Sequence, residues 1–349
     1  MTSSSWQNAK RILAVRLDNM GDVVMTGPAL RAVKETLPGA HLTLLASPAG
    51  AKTAPLLPWV DEVIPWRTLW QDLGRLDFDP QRELDFIDLL RRGHFDAAII
   101  FTSFKQTPHP AAYACYLAGI PLRAGESKEW GGGVLSHEVA PLPDAAHQVE
   151  RNLHLVESVG FHARDRQLEV SISSEAKENA RSLLNEPYLL LNPWTSCPSR
   201  NYDLHRFADA ALTLSVETAL PVAITGVEGD RERSQPLFDA LGARARDLMG
   251  KTDLPTLTAL VKDAALVLTP NTSVMHLADA TRTPLVVLFA GTELPRQWQP
   301  RATRFRLLHR VTSCRPCYAF ECPYNLECLD IPPHEVVASG LALLKEVPA

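Results

Sequence analysis

The chain has 349 residues, of which 46% are hydrophobic and 21% charged, and its formal net charge is −5. This composition is typical of a globular protein with an ordinary core and excludes a disordered or fibrous chain. The length is sufficient for two domains. The negative charge balance gives no positive field that would favour a nucleic acid as partner.

The sequence shows no sign of export or of a membrane anchor. The first residues, MTSSSWQNAKR, lack the apolar core of a signal peptide. No run of about 18 apolar residues, the length that a transmembrane helix needs, occurs in the chain. We therefore expect a cytoplasmic protein, and a peripheral contact at the cytoplasmic face of the membrane stays open.

In the first half, short apolar runs alternate with helical patterns, which predicts βαβ units and a parallel sheet. The predicted strands are residues 12–17, 42–46 and 97–101. Leu30, Val33 and Leu37 repeat at helical spacing between the first two strands. Pro28 either opens that helix or kinks an earlier turn. A further helix is expected to end at Gly160.

The second half repeats the alternation after a polar interval near residues 165–180, which suggests a connection between domains. The predicted strands are residues 188–192, 221–226, 264–269 and 284–291. We expect an N-terminal Rossmann-like domain over residues 1–165, a linker over 166–185 and a C-terminal Rossmann-like domain over 186–332. The last segment, 333–349, is predicted to be a helix that could pack back on the N-terminal domain.

Ligands of open α/β sheets bind beyond the carboxyl ends of the strands, so the loops that follow strands are the candidate sites. The first such loop, LDNMGDV, has one glycine where a dinucleotide-binding turn needs three. Asp22 in this loop is either a carboxylate that favours the dipole of a helix start or a general base. Asp18 competes for the base role, although it could equally cap the turn.

The second candidate loop follows the strand 188–192. Thr195 and Ser196 offer hydroxyl groups, and Arg200 offers a guanidinium fork that suits phosphate oxygens. The alternative for Arg200 is a solvated surface arginine. We expect the loop to hold a phosphate.

Two further loops complete the candidate site. Glu228 follows a strand and could accept hydrogen bonds from a ribose diol, whereas residues 230–233 are expected to be a solvated helix face. Thr272 and Ser273 precede a helix whose first N–H groups could bind an anion, and capping by these residues is compatible with that role. His276 could be a core residue, a phosphate contact or a support for the loop, the last being preferred.

Four cysteines lie close together in the sequence, with the spacing C-x2-C-x4-C-x5-C. They are Cys314, Cys317, Cys322 and Cys328. In a cytoplasmic protein this density suggests a structural zinc or iron–sulfur site more than disulfides. Reduced thiols that pack a loop are the alternative.

Two long stretches carry a family resemblance: GDVVMTGPALRAVKETLPGAHLTLLA and TPNTSVMHLADATRTPLVVLFAGTELPRQWQP. Because the two stretches occur in this order and at this spacing, the chain resembles glycosyltransferase family 9. The best-known members of that family are the ADP-heptose:lipopolysaccharide heptosyltransferases. The resemblance implies an α/β fold of the GT-B type, with two Rossmann-like domains facing across a cleft. It also implies inverting, metal-independent transfer of a sugar, expected to be heptose from ADP-heptose. The implied acceptor is a lipopolysaccharide core or a related envelope glycan.

The resemblance also implies roles for single residues. Asp22 matches the catalytic base, and Arg200 with Thr195 and Ser196 would hold and stabilise the leaving diphosphate. Glu228 aligns with an acid that binds the ribose. The family commonly has lysine at the position of Arg200. It often has Asp-Thr-Gly where Asn271, Thr272 and Ser273 stand here, so Asn271 removes a negative charge beside the diphosphate but keeps an acceptor oxygen.

Two rival functions are weighed against a transferase. An NAD-dependent oxidoreductase shares the α/β pattern, but no G-x-G-x-x-G follows a predicted strand. A non-catalytic protein that binds nucleotide sugars or glycans is left open by Asn271. On the acceptor side, Lys105, Arg123 and Lys128 could meet phosphates, although solvated surface positions are their default.

Overall fold

The protein is described by a computed structural model over residues 6–72, 74–129 and 131–346. The chain forms two compact units, Met1–Ser171 and Ile172–Ala349, and each contains one six-stranded sheet. The division falls inside the interval 166–185 that the sequence predicts to be a linker. A large part of that interval is nevertheless a helix, Ser174–Leu183, that packs against another helix of the C-terminal unit.

The N-terminal unit has a sheet in which all described pairs are parallel. Its strands are β1 (Arg11–Arg16), β2 (His41–Ala46), β3 (Glu62–Pro65), β4 (Ala97–Ile100), β5 (Leu122–Glu126) and β6 (His137–Val139). Its helices are α1 (Met20–Val24), α2 (Gly27–Thr36), α3 (Pro80–Arg92), α4 (His109–Leu117) and α5 (Gln148–Glu157).

The centre of this sheet is β1, whose apolar run is buried on both faces, as expected of a central parallel strand. The next helix resolves the alternative at Pro28. This proline lies in the first turn of α2, where its missing N–H costs no hydrogen bond, so it opens the helix and does not kink it.

The C-terminal unit also has a sheet whose described pairs are all parallel. Its strands are β7 (Leu189–Leu191), β8 (Val222–Ile224), β9 (Ala245–Asp247), β10 (Leu266–Pro270), β11 (Leu285–Leu288) and β12 (Phe305–Leu308). Its helices are α6 (Ser174–Leu183), α7 (Leu204–Thr218), α8 (Gln235–Leu241), α9 (Leu254–Asp263), α10 (Ser273–Thr281), α11 (Pro295–Trp298) and α12 (Pro333–Lys345).

Both sheets have the same strand order. The first is β3-β2-β1-β4-β5-β6 and the second is β12-β11-β10-β7-β8-β9. When each is counted within its own unit, both have the order 3-2-1-4-5-6 of the doubly wound Rossmann fold. The strand order therefore reverses between β1 and β4 in one unit and between β7 and β10 in the other, which is where such folds bind ligands.

The last helix packs within its own unit, and its contact with the N-terminal domain stays a prediction. α12 packs on α7 and on β11 and β12 of its own unit. Val336 and Leu343 are fully buried in the C-terminal core. A Cβ at Gly340 would lie 3.0 Å from side-chain carbons of Leu214 and Leu266, so this helix lies close against the core. Its apolar face is therefore covered within the C-terminal unit.

Over the ranges that the structure describes, no helix is both long and apolar enough to span a membrane.

Candidate active site

The loop after β1 holds two carboxylates around one arginine. Arg16 is the last residue of β1, and its side chain is fully buried. Its Nε lies 2.9 Å from Oδ2 of Asp18, and its NH2 donates to Oδ1 of Asp22 at 3.0 Å. The same NH2 donates to Oγ of Ser103 at 2.9 Å, in the loop after β4. The structure thus places Asp18 and Asp22 together at the point where the strand order reverses.

The Asp22 carboxylate is partly open to solvent, with 19% of its side chain exposed. Asp22 lies in the first turn of α1, so a favourable interaction with the helix dipole is possible there. Within the described part of the chain, however, its carboxylate accepts a hydrogen bond from Arg16 and not from a backbone N–H of the helix. Its second oxygen, Oδ2, has no hydrogen-bond donor among those residues. A carboxylate oxygen in this state can accept a proton from a hydroxyl group.

Asp18 is the more enclosed of the two acids, with 13% of its side chain exposed. Burial raises the pKa of Asp18, and the negative charge of Asp22 raises it further, whereas Arg16 and a hydrogen bond from Gln106 lower it. Gln106 donates from Nε2 to Oδ1 of Asp18, so this carboxylate is engaged by the protein on both oxygens. Of the two candidates for a base, Asp22 is the one with an available oxygen.

Close backbone packing fixes this loop. The hydroxyl of Ser47 donates to the carbonyl of Asp18 at 2.7 Å. A Cβ at Gly50 would lie 2.9 Å from a methyl carbon of Val23 and 3.0 Å from the Asp18 carbonyl oxygen. Only glycine fits at position 50 without a shift of the β1 loop. The segment after β2 therefore supports the loop that carries both acids.

Among the basic residues near the predicted acceptor loops, Arg123 is not a solvated residue. It is buried, and its guanidinium donates to the carbonyls of Ile120, Pro121 and Val134. Burial lowers its pKa. The default expectation of a solvated position was wrong for Arg123, because its side chain ties together loops around β5. Lys128 is half-exposed and pairs with Asp144.

The loop after β7 contains the predicted phosphate-binding residues. Thr195 uses its hydroxyl locally, donating to the Cys197 carbonyl at 2.7 Å and accepting from the Cys197 N–H at 3.0 Å. Ser196 is exposed. Arg200 ends a short 3-10 turn, Pro198–Arg200, with 27% of its side chain exposed. The structure thus brings these residues into one loop, where Thr195 shapes the turn while Ser196 and Arg200 remain accessible.

The partners of Arg200 come from the loop after β11. Its Nε donates to the hydroxyl of Thr292 at 3.1 Å, and its NH2 lies 3.0 Å from a carboxylate oxygen of Glu293. Sequence reasoning missed Glu293 as a site residue. The ion pair shows that Arg200 is not simply a solvated surface arginine.

Glu228 follows β8 and is 68% exposed. Arg231 forms a two-pronged ion pair with it, at 2.6 and 2.9 Å, and also contacts Asp247 at the end of β9. The hydrogen bond from Arg231 lowers the pKa of Glu228. Arg231 was expected on a solvated helix face, and this was wrong, because its guanidinium joins the ends of two neighbouring strands.

Gly250 explains why the backbone beside Glu228 can approach so closely. Its φ is +70°, and a Cβ there would lie 2.4 Å from Oε2 of Glu228. A side chain at position 250 would be strained and would collide with the acid. The backbone after β9 therefore forms one wall beside the Glu228 carboxylate.

The loop after β10 leads into α10. The helix begins at Ser273 with Thr272 as its N-cap residue, but no side-chain capping hydrogen bond forms. Asn271 is buried and accepts a hydrogen bond from the Ala290 N–H at 3.1 Å, while its Nδ2 has no partner among the described residues. His276 is buried on α10. These four residues lie together at the start of α10, where N–H groups can bind an anion.

The cysteine cluster surrounds one small pocket. All four thiols line it, together with Ser199 and Thr292 from the loops just described. Burial raises the pKa of Cys328. None of the four is in a disulfide. Within the residues that the structure describes, no three or more His, Cys, Asp or Glu side chains are arranged to hold a metal ion.

The segment that carries these cysteines is bonded to the Arg200 loops. The N–H groups of Cys317 and Tyr318 donate to the carbonyls of Gly291 and Thr292 at 3.0 and 3.1 Å. The Ser199 N–H donates to the carbonyl of Phe320 at 3.1 Å. The cysteine segment therefore braces the two loops that position Arg200.

Two comparisons with known sequences point to the same family. A family model described as glycosyltransferase family 9 (heptosyltransferase) matches residues 84–327. The chain is 28% identical over 362 residues to lipopolysaccharide heptosyltransferase 2 of Escherichia coli (strain K12), covering 96% of this chain and 98% of that protein.

Two solved structures resemble the whole chain. A glycosyl transferase family 9 protein from Veillonella parvula DSM 2008 has a TM-score of 0.78 at 20% identity, covering 97% of this chain and 98% of that one. The E. coli ADP-heptose lipopolysaccharide heptosyltransferase II has a TM-score of 0.77 at 20% identity, covering 96% and 98%. These likenesses confirm the predicted α/β fold of the GT-B type. Since the family model matches well over half of the sequence, the chain belongs to glycosyltransferase family 9 and is a glycosyltransferase.

Proposed function

We propose that this chain moves a heptose from ADP-heptose onto a lipopolysaccharide core or a related envelope glycan, with inversion at the anomeric carbon. The names of its relatives support the donor and the acceptor. The observation that carries the mechanism is the partly exposed carboxylate of Asp22, held at the carboxyl end of β1 with one oxygen unengaged among the described residues.

The reaction is a single displacement. Oδ2 of Asp22 takes the proton from the acceptor hydroxyl, whose oxygen forms a bond to the anomeric carbon. The bond from that carbon to the diphosphate breaks, and the electron pair leaves with the nucleoside diphosphate. A general base in such a step typically contributes about 10²–10⁴ in rate.

The leaving diphosphate needs positive charge and N–H donors where its negative charge develops. Arg200 supplies a guanidinium that lies in a half-buried position, where a charged hydrogen bond is stronger than in open solvent. The start of α10, with Asn271, Thr272 and Ser273, supplies backbone N–H groups. A diphosphate would compete with Glu293 for Arg200, so donor binding is expected to exchange one anionic partner of Arg200 for another.

Glu228 is proposed to bind the ribose. Its carboxylate is exposed beyond β8 and is held in the ionised form by Arg231, so it can accept hydrogen bonds from the two ribose hydroxyls. His276 is proposed as a support for the α10 loop because it is buried on that helix.

The test is a transfer assay with a panel of nucleotide sugars. We expect ADP-heptose to give a product on a heptose-deficient lipopolysaccharide acceptor, and product NMR to show an inverted anomeric centre. A protein that binds ADP-heptose but neither transfers nor hydrolyses it would be the non-catalytic binder. An ADP-induced rise in melting temperature without one from NAD separates a transferase from an oxidoreductase. Peripheral membrane contact stays a prediction, to be checked by sedimentation with anionic vesicles.

We also propose a structural metal at the cysteine cluster. The four thiols share one pocket. Cys322 Sγ accepts N–H hydrogen bonds from Tyr324 and Leu326, both at 3.4 Å. Such donors stabilise a thiolate ligand. Since the described side chains form no ready ligand set, the thiols would close around the ion.

Elemental analysis of protein purified without a metal-affinity step tests this proposal. We expect about one zinc per chain, or about two to four irons with acid-labile sulfide for an iron–sulfur cluster, lost in a Cys314→Ser/Cys317→Ser variant and retained in Cys115→Ser, which removes a buried cysteine elsewhere. Metal-free protein with four titratable thiols at this cluster would instead establish reduced cysteines that pack the loop.

A further inference from the structure

One buried guanidinium joins the two carboxylates of the β1 loop. Arg16 Nε faces Asp18 at 2.9 Å and Arg16 NH2 faces Asp22 at 3.0 Å. We propose that Arg16 is a positioning residue shared by these acids, and that Asp18 sets how readily Asp22 accepts the proton of the acceptor. This inference rests on the proposed role of Asp22 as the base.

The orientation of Asp22 depends on a single N–H group. Among the described residues, Arg16 makes its hydrogen bonds through NH2, to Asp22 and to Ser103, while Nε and NH1 are buried without one. The contact between Nε and Asp18 is close, but it is an ion pair without hydrogen-bond alignment. Because Arg16 is fully buried, it cannot itself reach a bound acceptor. Its effect on the reaction must pass through the acids that it holds.

One cation cannot neutralise both acids, so the cluster of Arg16, Asp18 and Asp22 carries a net negative charge when both acids are ionised. Burial and the charge of Asp22 raise the pKa of Asp18. By Coulomb's law the influence is mutual, and each acid weakens the net electrostatic attraction between the guanidinium and the other acid. Asp18 and Asp22 thus share one guanidinium, and a change at either acid changes how Arg16 holds the other.

Arg151 and Glu126 are further charged residues near the cluster. Arg151 on α5 acts electrostatically on Arg16 and forms a buried ion pair with Glu126 at the end of β5. Ser103 and Gln106 approach from the loop after β4 and are uncharged. Since Arg151 is paired with its own carboxylate, Arg16 is the cation that contacts both acids directly.

The proposal predicts opposite shifts in the pH dependence of turnover. In Asp18→Asn one negative charge is removed from the cluster, and Asp22 becomes the one carboxylate of the pair that faces the guanidinium. The acidic limb of the kcat profile is then expected to move to lower pH by roughly one unit, with a lower plateau. In Arg16→Met the bridging cation is lost and the limb moves to higher pH, whereas Arg16→Lys keeps the charge but loses the fork, so its limb moves less; in both variants kcat falls while KM for the donor stays near its normal value.

The experiment records kcat against pH for the unmodified enzyme and for the Asp18→Asn, Arg16→Lys, Arg16→Met and Asp22→Asn variants. Arg31→Lys is the matched control, because Arg31 is also a buried arginine of the N-terminal unit that joins two carboxylates, those of Asp165 and Glu169. We expect that control to leave the limb in place. If Arg16→Met does not fold, the isosteric Asp18→Asn variant still tests the proposal.

Opposite shifts for the Asp18 and Arg16 variants support the shared guanidinium. An acidic limb that stays in place in Asp18→Asn and Arg16→Met, while Asp22→Asn loses turnover, overturns the sharing and leaves the base role standing. Full turnover of Asp22→Asn overturns the base role, and the inference about Arg16 falls with it.

Discussion

The loops after β1 and after β7 occupy the same position in two sheets of the same strand order, yet they carry opposite charge. The β1 loop presents two carboxylates around a fully buried arginine. The β7 loop presents an arginine that is 27% exposed and rests against Thr292 and Glu293. The shared topology decides where a ligand can bind, and the side chains of each loop decide which chemistry is available there.

Arg16 and Arg200 differ in how deeply they are buried, and this difference decides what each can do. Arg16 lies inside the protein, where it can orient an acid but cannot contact a ligand. Arg200 lies at the surface of its loop, where its guanidinium can exchange one anionic partner for another. The comparison therefore predicts that variants in the β1 loop change the rate of the chemical step, whereas variants around β7 and β8 change donor binding.

The largest effect is expected from Asp22→Asn. The amide keeps the shape but cannot take a proton, so kcat should fall by about 10²–10⁴ with near-normal nucleotide affinity. Steady-state kinetics and calorimetry with ADP measure the two quantities. Because Asp22 lies outside the residues matched by the family model, this test is independent of that match. Full turnover would remove Asp22 from the mechanism.

Arg200→Ala is expected to weaken donor affinity and turnover together, each by roughly tenfold to a hundredfold, since hydrogen bonds to charged groups contribute most at such sites. Arg200→Lys keeps the charge but loses the fork of N–H groups. Its donor affinity and turnover should therefore lie between those of Arg200→Ala and the unmodified enzyme. Calorimetry with ADP checks the affinity. Unchanged nucleotide binding in Arg200→Ala would refute the assignment of this arginine to the diphosphate.

Gly50→Ala tests whether the segment after β2 supports the base loop. The added Cβ would lie 2.9 Å from Val23 and 3.0 Å from the Asp18 carbonyl, so the loop must shift. We expect a loss of about 1–3 kcal/mol in the free energy of unfolding, together with reduced kcat. Urea denaturation measures the former. Gly39→Ala, where a Cβ meets nothing within 4 Å, is the control that should behave as the unmodified protein.

The smallest effect is expected from Glu228→Gln. The acid is 68% exposed and its ion pair with Arg231 is open to solvent, so donor KM should rise by less than about fivefold. The pKa of Glu228 is lowered, so its carboxylate stays ionised until the pH falls below the usual range of a glutamate. The difference between Glu228→Gln and the unmodified enzyme should therefore be constant between pH 6 and 8. A large loss of kcat would place Glu228 in the chemical step.

Sequence reasoning located most central strands within one or two residues, because a strand buried on both faces is a continuous apolar run. It did not identify β3, β6, β9 and β12, in which most residues are exposed or only partly buried, so that they carry no such run. It also missed β5, in which two charged residues are buried, Arg123 against backbone carbonyls of the flanking loops and Glu126 against Arg151 of α5. Local pattern predicts an element when the burial itself is regular along the chain.

The candidate site shows the same limit. The loops that carry Asp22, Arg200, Glu228 and the start of α10 follow from their position after predicted strands. The residues that hold these side chains in place cannot be predicted in the same way. Ser103 is 87 positions away from Arg16, and Thr292 is 92 positions away from Arg200. No local pattern joins residues at such separations.

By itself the sequence determined the two α/β halves, the strand-end loops and the family, because apolar periodicity and motif spacing are properties of neighbouring residues. The tertiary structure alone decided that one buried guanidinium serves both acids of the β1 loop, that Arg200 rests on Glu293, and that Arg231 joins Glu228 to Asp247. Arg200 meets Glu293, and Arg231 meets Asp247, because segments that follow different strands come together at one edge of the sheet, and only the folded chain brings them there.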